Sequence, residues 1–306
     1  MKLERFEFTG QGGMKLPACI WLPEGEAKAV LQIAHGMTEH IGRYASFASA
    51  LTDKGVIVAG FDLRGHGENV GSKAVASFGE GGWDKALCDM NLFSGFLRGK
   101  YSSLPHYMLG FSLGSFLLRE YLSKWSDGIS GAVIMGTGSQ PGWLLSVMKA
   151  IVKREIGKSG FDNTTDLVRN LSFGAYNQTF RPNRTSSDWL IGDEKSLDEY
   201  LSDPLCRKDI SSGLFFDLLS AMQRTGKKDT YKTWNKSLPV LLLSGSEDPV
   251  GGRGKGVLNV KKQMEKGGVK NIYMRLIPDA RHIVLAEEAS GAKDAAIKAV
   301  TEFIGI

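Results

Sequence analysis

Cysteine, proline and histidine are scarce in this chain of 306 residues, and long apolar runs are missing. The three cysteines, Cys19, Cys88 and Cys206, stand far apart and are odd in number. They offer neither a disulfide framework nor zinc ligands at CxxC spacing, so reduced, mostly buried thiols are expected. No run of about 18 apolar residues occurs, and no membrane-spanning helix is expected. The opening "MKLERFEFTG" lacks the apolar centre of a signal peptide, so the expected address is cytoplasmic. Charge of one sign is also lacking. The net charge of +5 is spread among acidic residues without a basic tract, which argues against a nucleic-acid partner. A composition of 42% hydrophobic and 23% charged residues is that of a globular protein with a large core, in one large domain or two smaller ones.

What is present is a recurring alternation. "LERFEF" and "LPACIWLP" flank "TGQGGMK" and read as a hairpin. Short apolar runs follow at Ala29 to His35, Val56 to Asp62, "HYMLGF" from His106, Gly131 to Gly136, Leu238 to Gly245 and Ile272 to Ile277. Helical patterns lie between them at Tyr44 to Lys54, Trp83 to Arg98, Ser115 to Lys124, Val257 to Lys266 and Ala292 to Ile304. Nearly continuous apolar strands alternating with helices predict an α/β fold with a mainly parallel sheet covered on both faces. From about Ser139 to Lys236 no strong strand run appears, and a helical insertion of that length reads as a cap. The expected division is a core of 1–138 and 237–306 with a cap of 139–236. Within the cap, Pro141 to Lys158 predicts a helix with Leu144, Val147, Met148 and Ile151 on one face. Such a helix either roofs a pocket or also rests in a membrane interface, its cations near lipid head groups.

Gly110-Phe111-Ser112-Leu113-Gly114 matches G-x-S-x-G between an apolar run and an amphipathic helix pattern. Strand, sharp turn and helix make a nucleophile elbow, where flanking glycines relieve crowding. Ser112 is the candidate nucleophile. A serine hydroxyl needs a base, and the choice is narrow: His35, His40, His66, His106 and His282. His106 starts the strand that leads to Ser112, at the wrong end of the sheet. His35, His40 and His66 follow strand ends but precede the nucleophile. His282 follows the strand Ile272 to Ile277, where catalytic groups gather, and is the expected base. The acid comes from "LLLSGSEDPV": Asp248 is preferred, since Glu247 is one residue nearer the strand and points the other way. Asp279 is the runner-up, three residues before His282. The order Ser, Asp, His is that of the α/β-hydrolase fold. Backbone N–H groups of Leu113 and Met37 are the candidate oxyanion donors.

Other motifs fail. "GGRGKGV" from Gly251 lacks the first glycine and the Ser or Thr of a phosphate loop, and reads as a flexible loop beside the acid. Glu39-His40 has no second ligand at helical spacing, so no metal site and no cofactor is expected.

Together, "AHGMTEHIGRY", "FDLRGHGEN", "GFSLGS", "LLLSGSEDPV" and "DARHIVLAEE" resemble the monoacylglycerol lipase and lysophospholipase branch of the α/β hydrolases. The resemblance covers roughly residues 1 to 138 and 237 to 306. It implies an eight-stranded sheet with a helical cap, the triad Ser112, Asp248 and His282, and amide donors at Met37 and Leu113. It also implies an ester or lipid substrate. Related proline-releasing peptidases carry HGGPG where this chain reads His35-Gly36-Met37-Thr38-Glu39, which argues against that activity. The expected function is a serine hydrolase of single-chain lipid esters. A short-chain carboxylesterase or an acyltransferase is the alternative, and a non-catalytic ligand-binding relative the remaining one.

Overall fold

The computed structural model describes residues 1–70, 75–206 and 209–306. Its main sheet has eight strands: β1 (Lys2–Thr9), β2 (Lys15–Leu22), β3 (Ala29–Ala34), β4 (Val56–Phe61), β5 (His106–Phe111), β6 (Gly131–Met135), β7 (Val240–Gly245) and β8 (Ile272–Ile277). Their order is β1-β2-β4-β3-β5-β6-β7-β8. β1 and β2 form the expected antiparallel hairpin, β2 runs antiparallel to β4, and every later pairing is parallel. The alternation of apolar runs thus reads correctly as a mainly parallel α/β sheet, and its eight strands are the number the resemblance implies.

Burial follows position in the sheet. Every residue of β3, β4, β6 and β7 is buried, as expected of strands covered on both faces. The edge strands alternate between covered and exposed residues. Helices α1 (Ala45–Thr52), α2 (Gly82–Lys100) and α3 (Leu113–Trp125) follow in the first part of the chain. Two apolar cores result, one on each side of the sheet. Phe93, Leu117 and Tyr121 belong to one, and Phe47, Leu51 and Val300 to the other.

Between β6 and β7 the chain leaves the sheet. It forms α4 (Gly142–Ser159), short helical turns at Asp166–Arg169 and Ala175–Asn177, α5 (Glu194–Ser202) and α6 (Ser212–Thr225). The starts of α5 and α6 are local. The Asp193 carboxylate accepts from Ser196 N at 2.8 Å, and Ser211 Oγ accepts from Leu214 N at 3.0 Å. Asp209–Ile210 pairs with Val75–Ala76 as a two-stranded ribbon. Helices α7 (Lys255–Lys266) and α8 (Ala292–Ile304) complete the core.

Two readings of the sequence need correction. The stretch after Gly251 is no free loop. Gly252 N donates to Pro249 O, Arg253 N to Asp248 O and Gly256 N to Gly251 O, and α7 begins at Lys255. On α4 the expected face holds only in part: Leu144 and Met148 line an internal cavity, but the buried stripe is Leu145, Val152 and Glu155, and Val147 is 51% exposed. Adjacent leucines at 144 and 145 leave the phase of this helix open. The apolar face of α6 against which it packs decides it.

Candidate active site

Ser112 stands between β5 and α3 with φ 49° and ψ −115°, a conformation that side chains rarely adopt. Its surroundings enforce the turn. Ser112 N donates to Met135 O on β6 at 2.9 Å, and Ser115 Oγ donates to Ser112 O at 2.6 Å. The flanking glycines permit close approach: a Cβ on Gly110 would lie 2.3 Å from Gly114 O, and one on Gly114 would lie 2.0 Å from Ala34 O.

His282 is buried in the loop after β8, and its Nε2 is 2.9 Å from Ser112 Oγ. Its Nδ1 lies 2.9 Å from Asp248 Oδ1. The fully buried Asp248 also accepts from Val250 N at 2.9 Å and from Ser244 Oγ at 3.2 Å. These bonds fix the carboxylate and leave Nε2 facing the serine, the arrangement of a base poised to take the Oγ proton. Glu247 points away, 3.2 Å from Arg253 Nε. Asp279 lies in an exposed turn with φ 57°, so the runner-up acid stays outside the site.

The loop after β3 is clamped around Met37. Glu39 Oε1 accepts from Gly36 N at 2.6 Å and from Tyr44 Oη at 2.8 Å, and Thr38 Oγ1 donates to Met37 O at 2.7 Å. Among the described residues, the N–H groups of Met37 and Leu113 donate to no protein acceptor. Both residues line a cavity that Ser112 also lines.

Two cavities meet at Ser112 and share Met37, Ser172, Phe173 and Trp189 as walls. One, about 310 Å³, sets Thr38, Asn170, Ser186 and Ser187 among apolar walls that include Phe173, Leu190 and Ile283. The other, about 270 Å³, is lined by Phe116, Leu145, Met148, Leu218, Leu219 and Met222 among others. A reacting carbonyl at Ser112 would thus have polar groups within reach on one side and an almost wholly apolar chamber on the other.

The family model described as "Serine aminopeptidase, S33" matches residues 25–289. The chain belongs to this α/β-hydrolase family. It is 27% identical over 155 residues to the monoacylglycerol lipase of Mycolicibacterium smegmatis, across 49% of this chain and 52% of that protein. It is 28% identical over 229 residues to the monoglyceride lipase of Mus musculus, across 74% and 68% respectively. The matched stretch thus spans about half the length of the first relative and about two thirds of the second. The carboxyl esterase of Bacillus coagulans, solved with glycerol, superimposes with a TM-score of 0.87 at 21% identity, over 100% of this chain and 98% of that one. That likeness concerns the fold, and any chemistry has to be argued from the site itself.

The other histidines are structural. His35 is buried, accepts from Leu63 N at 2.9 Å, and is pushed down to about 3 by burial. His66 is likewise pushed down to about 3 by burial, then by the nearby His35. His106, at the opposite end of β5, sits 3.2 Å from Gln32 Oε1 and falls to about 4, again through burial. His40 Nε2 contacts Asp203 Oδ2 at 2.9 Å. With Cys206 Sγ these atoms lie within 4.8 Å of one another, ligand types suited to a soft cation. The guanidinium of Arg43, 4.0 Å from the same Asp203 oxygen, already supplies the positive charge there. The cluster therefore acts as a latch between the loop after β3 and the end of α5.

Two further residues brace His282 without standing out in the sequence, although Glu287 lies within the "DARHIVLAEE" stretch. Trp189 packs 5.2 Å from the His282 ring on one side, and Phe111 lies 5.0 Å away. Glu287 accepts from Gly192 N at 2.7 Å, Arg281 N at 3.1 Å and Asp193 N at 3.2 Å, tying the His282 loop to the segment before α5. Spacing does not reveal these roles, because Gly192 and Asp193 for Glu287, and His282 for Trp189, are about 90 residues away along the chain.

Proposed function

We propose that this protein hydrolyses carboxylic esters through an acyl-enzyme on Ser112, and that its substrate is a single-chain lipid ester, a monoacylglycerol or lysophospholipid. What carries the reading is the hydrogen-bonded run Ser112–His282–Asp248 at the junction of two mainly apolar cavities, of which the first carries more polar groups in its wall. Ser112 Oγ attacks the acyl carbon as His282 takes its proton. The Met37 and Leu113 amides hold the oxyanion, and Asp248 stabilises the imidazolium. The alcohol leaves with that proton, and water activated by His282 then releases the fatty acid. The cycle calls on no metal or cofactor.

In this reading the acyl chain enters the apolar cavity and the glycerol side faces Thr38, Asn170 and Ser186. Residues 139–236 act as a cap over a core formed by 1–138 and 237–306. The outer side of α4, with Trp143 71% exposed above Lys153 and Arg154, rests on the lipid surface that delivers the substrate. The three free thiols suit a reducing compartment, the cytoplasm.

The test is a panel of esters varying in chain length and head group, with an aminoacyl anilide as the peptidase control and an added alcohol to reveal acyl transfer. Ester turnover without anilide turnover is expected, with free fatty acid as the main product. Ser112→Ala should abolish fluorophosphonate labelling and lower turnover by several orders of magnitude. Labelling that persists in that variant would reassign the nucleophile.

A further inference from the structure

Arg119 is fully buried on α3, the helix that begins at the nucleophile, yet it has no part in the chemistry above. A guanidinium has five N–H donors, and five hydrogen bonds leave this one. Nε and Nη2 donate to Tyr231 Oη at 3.0 and 2.6 Å. Nη1 donates to Thr137 Oγ1 at 3.0 Å and to Gly138 O at 3.2 Å. Nη2 also donates to Thr225 O at 2.7 Å. All these acceptors are neutral oxygens. A cation buried without a carboxylate partner is costly, so its place here calls for a reason.

The acceptors lie at the two places where the chain passes between sheet and cap. Thr137 and Gly138 follow β6 and lead into α4. Thr225 is the last residue of α6, and Tyr231 stands in the turn before β7. The helices α4 and α6 supply Leu145, Met148, Leu219 and Met222 to the wall of the apolar cavity. Phe116, whose ring centre is 5.3 Å from the guanidinium carbon, lines the same cavity from α3. One side chain on the nucleophile's own helix therefore holds the sheet-side roots of both cap helices.

We infer that Arg119 is a positioning residue that sets acyl-chain selection, by fixing α4 and α6 at the spacing that keeps the apolar cavity open. The inference rests on the acyl chain occupying that cavity. It predicts an effect that grows with chain length. A short ester reacts at Ser112 without reaching the helices, whereas a long one needs the whole chamber.

The experiment compares kcat and KM for p-nitrophenyl butyrate and p-nitrophenyl laurate in the parent protein, Arg119→Met, Arg119→Lys and Tyr231→Phe. Tyr231→Phe keeps the cation and removes only one acceptor, so it covers the case in which Arg119→Met does not fold. The kcat/KM ratio of laurate to butyrate should fall at least about tenfold in Arg119→Met, mainly through KM for laurate, with a smaller fall in the other two. Butyrate kcat and the fluorophosphonate labelling rate should stay within about threefold of the parent. Hydrogen exchange should rise over residues 137–150 and 215–231. Equal losses on both esters, or an unchanged ratio in Tyr231→Phe and in every folded Arg119 variant, would overturn the inference. A parent protein that does not favour laurate would instead overturn the acyl-cavity reading on which it rests.

Discussion

Ser112 keeps its strained φ of 49° because neighbours on both sides leave the backbone no alternative. Gly114→Ala tests this directly. The new methyl would meet Ala34 O and His35 O, both backbone atoms that cannot swing aside. Separating α3 from β3 should cost about 1–3 kcal/mol of stability and shift the Leu113 amide, so both melting temperature and turnover should drop. Wild-type turnover in this variant would show that the elbow is not as tightly packed as described. The acid gives a second prediction at this scale. Asp248→Asn keeps the shape but removes the charge that orients His282, and the corresponding change in a serine protease costs about 10⁴ in turnover. Asp279→Asn lies in the exposed turn and should leave steady-state rates close to the parent. A larger loss from Asp279→Asn would transfer the role of acid to that residue. Alternation along the chain separates Glu247 from Asp248, so this preference was legible in the sequence. The clamps from Glu39 and Glu287 were not: both stand in stretches that carry the resemblance, but nothing in the residue pattern says that a carboxylate accepts backbone N–H groups.

Helix α4 shows what a single element discloses and what it hides. Its extent is readable: Pro141 to Lys158 by pattern, Gly142–Ser159 by structure. Its rotation is not, since Leu144, Leu145, Val147 and Met148 fit more than one apolar stripe and only the partner helix selects among them. The result moves the membrane test to different residues. Leu145 and Met148 belong to the cavity wall, while Trp143 and Val147, one helical turn apart, are exposed at 71% and 51%. Trp143→Ser with Val147→Ser, made in the Ser112→Ala background, should reduce co-sedimentation with anionic vesicles at low salt. Hydrolysis of a soluble butyrate ester by the double variant with Ser112 intact should stay near that of the parent. If the parent protein itself does not sediment with vesicles at low salt, where attraction is strongest, α4 is a roof and nothing more. The sheet strands stand at the opposite extreme. Each apolar run became a strand, because strands buried on both faces depend on continuous hydrophobicity and hardly on phase.

At the scale of the whole molecule, burial of neutral histidines makes stability depend on pH. His35 and His66 fall to about 3 and His106 to about 4 in the folded protein, all chiefly through burial, from an ordinary value of 6.5. The unfolded chain therefore binds protons on these side chains below about pH 6.5, while the folded chain does not until much lower pH. Stability is full above that point and is lost as pH falls toward 4. Asp217 opposes the trend. Burial raises it to about 6, so the folded state takes up its proton earlier and gains stability as pH drops from there toward 3.8. Asp62 is also raised by burial and acts in the same direction as Asp217, yet the three histidines outweigh both: the net expectation is an unfolding free energy that declines between neutral pH and about pH 4.5, by on the order of 1–3 kcal/mol for each histidine, and a urea midpoint that declines with it. His106 is the clean probe, since it lies at the far end of β5 from Ser112 and its ring meets Gln32 Oε1 within the sheet. His106→Gln should flatten the decline without altering the rate at neutral pH. A midpoint that does not change over this range, or one that changes equally in the variant, would mean that the buried imidazoles do not govern the acid limit of this fold.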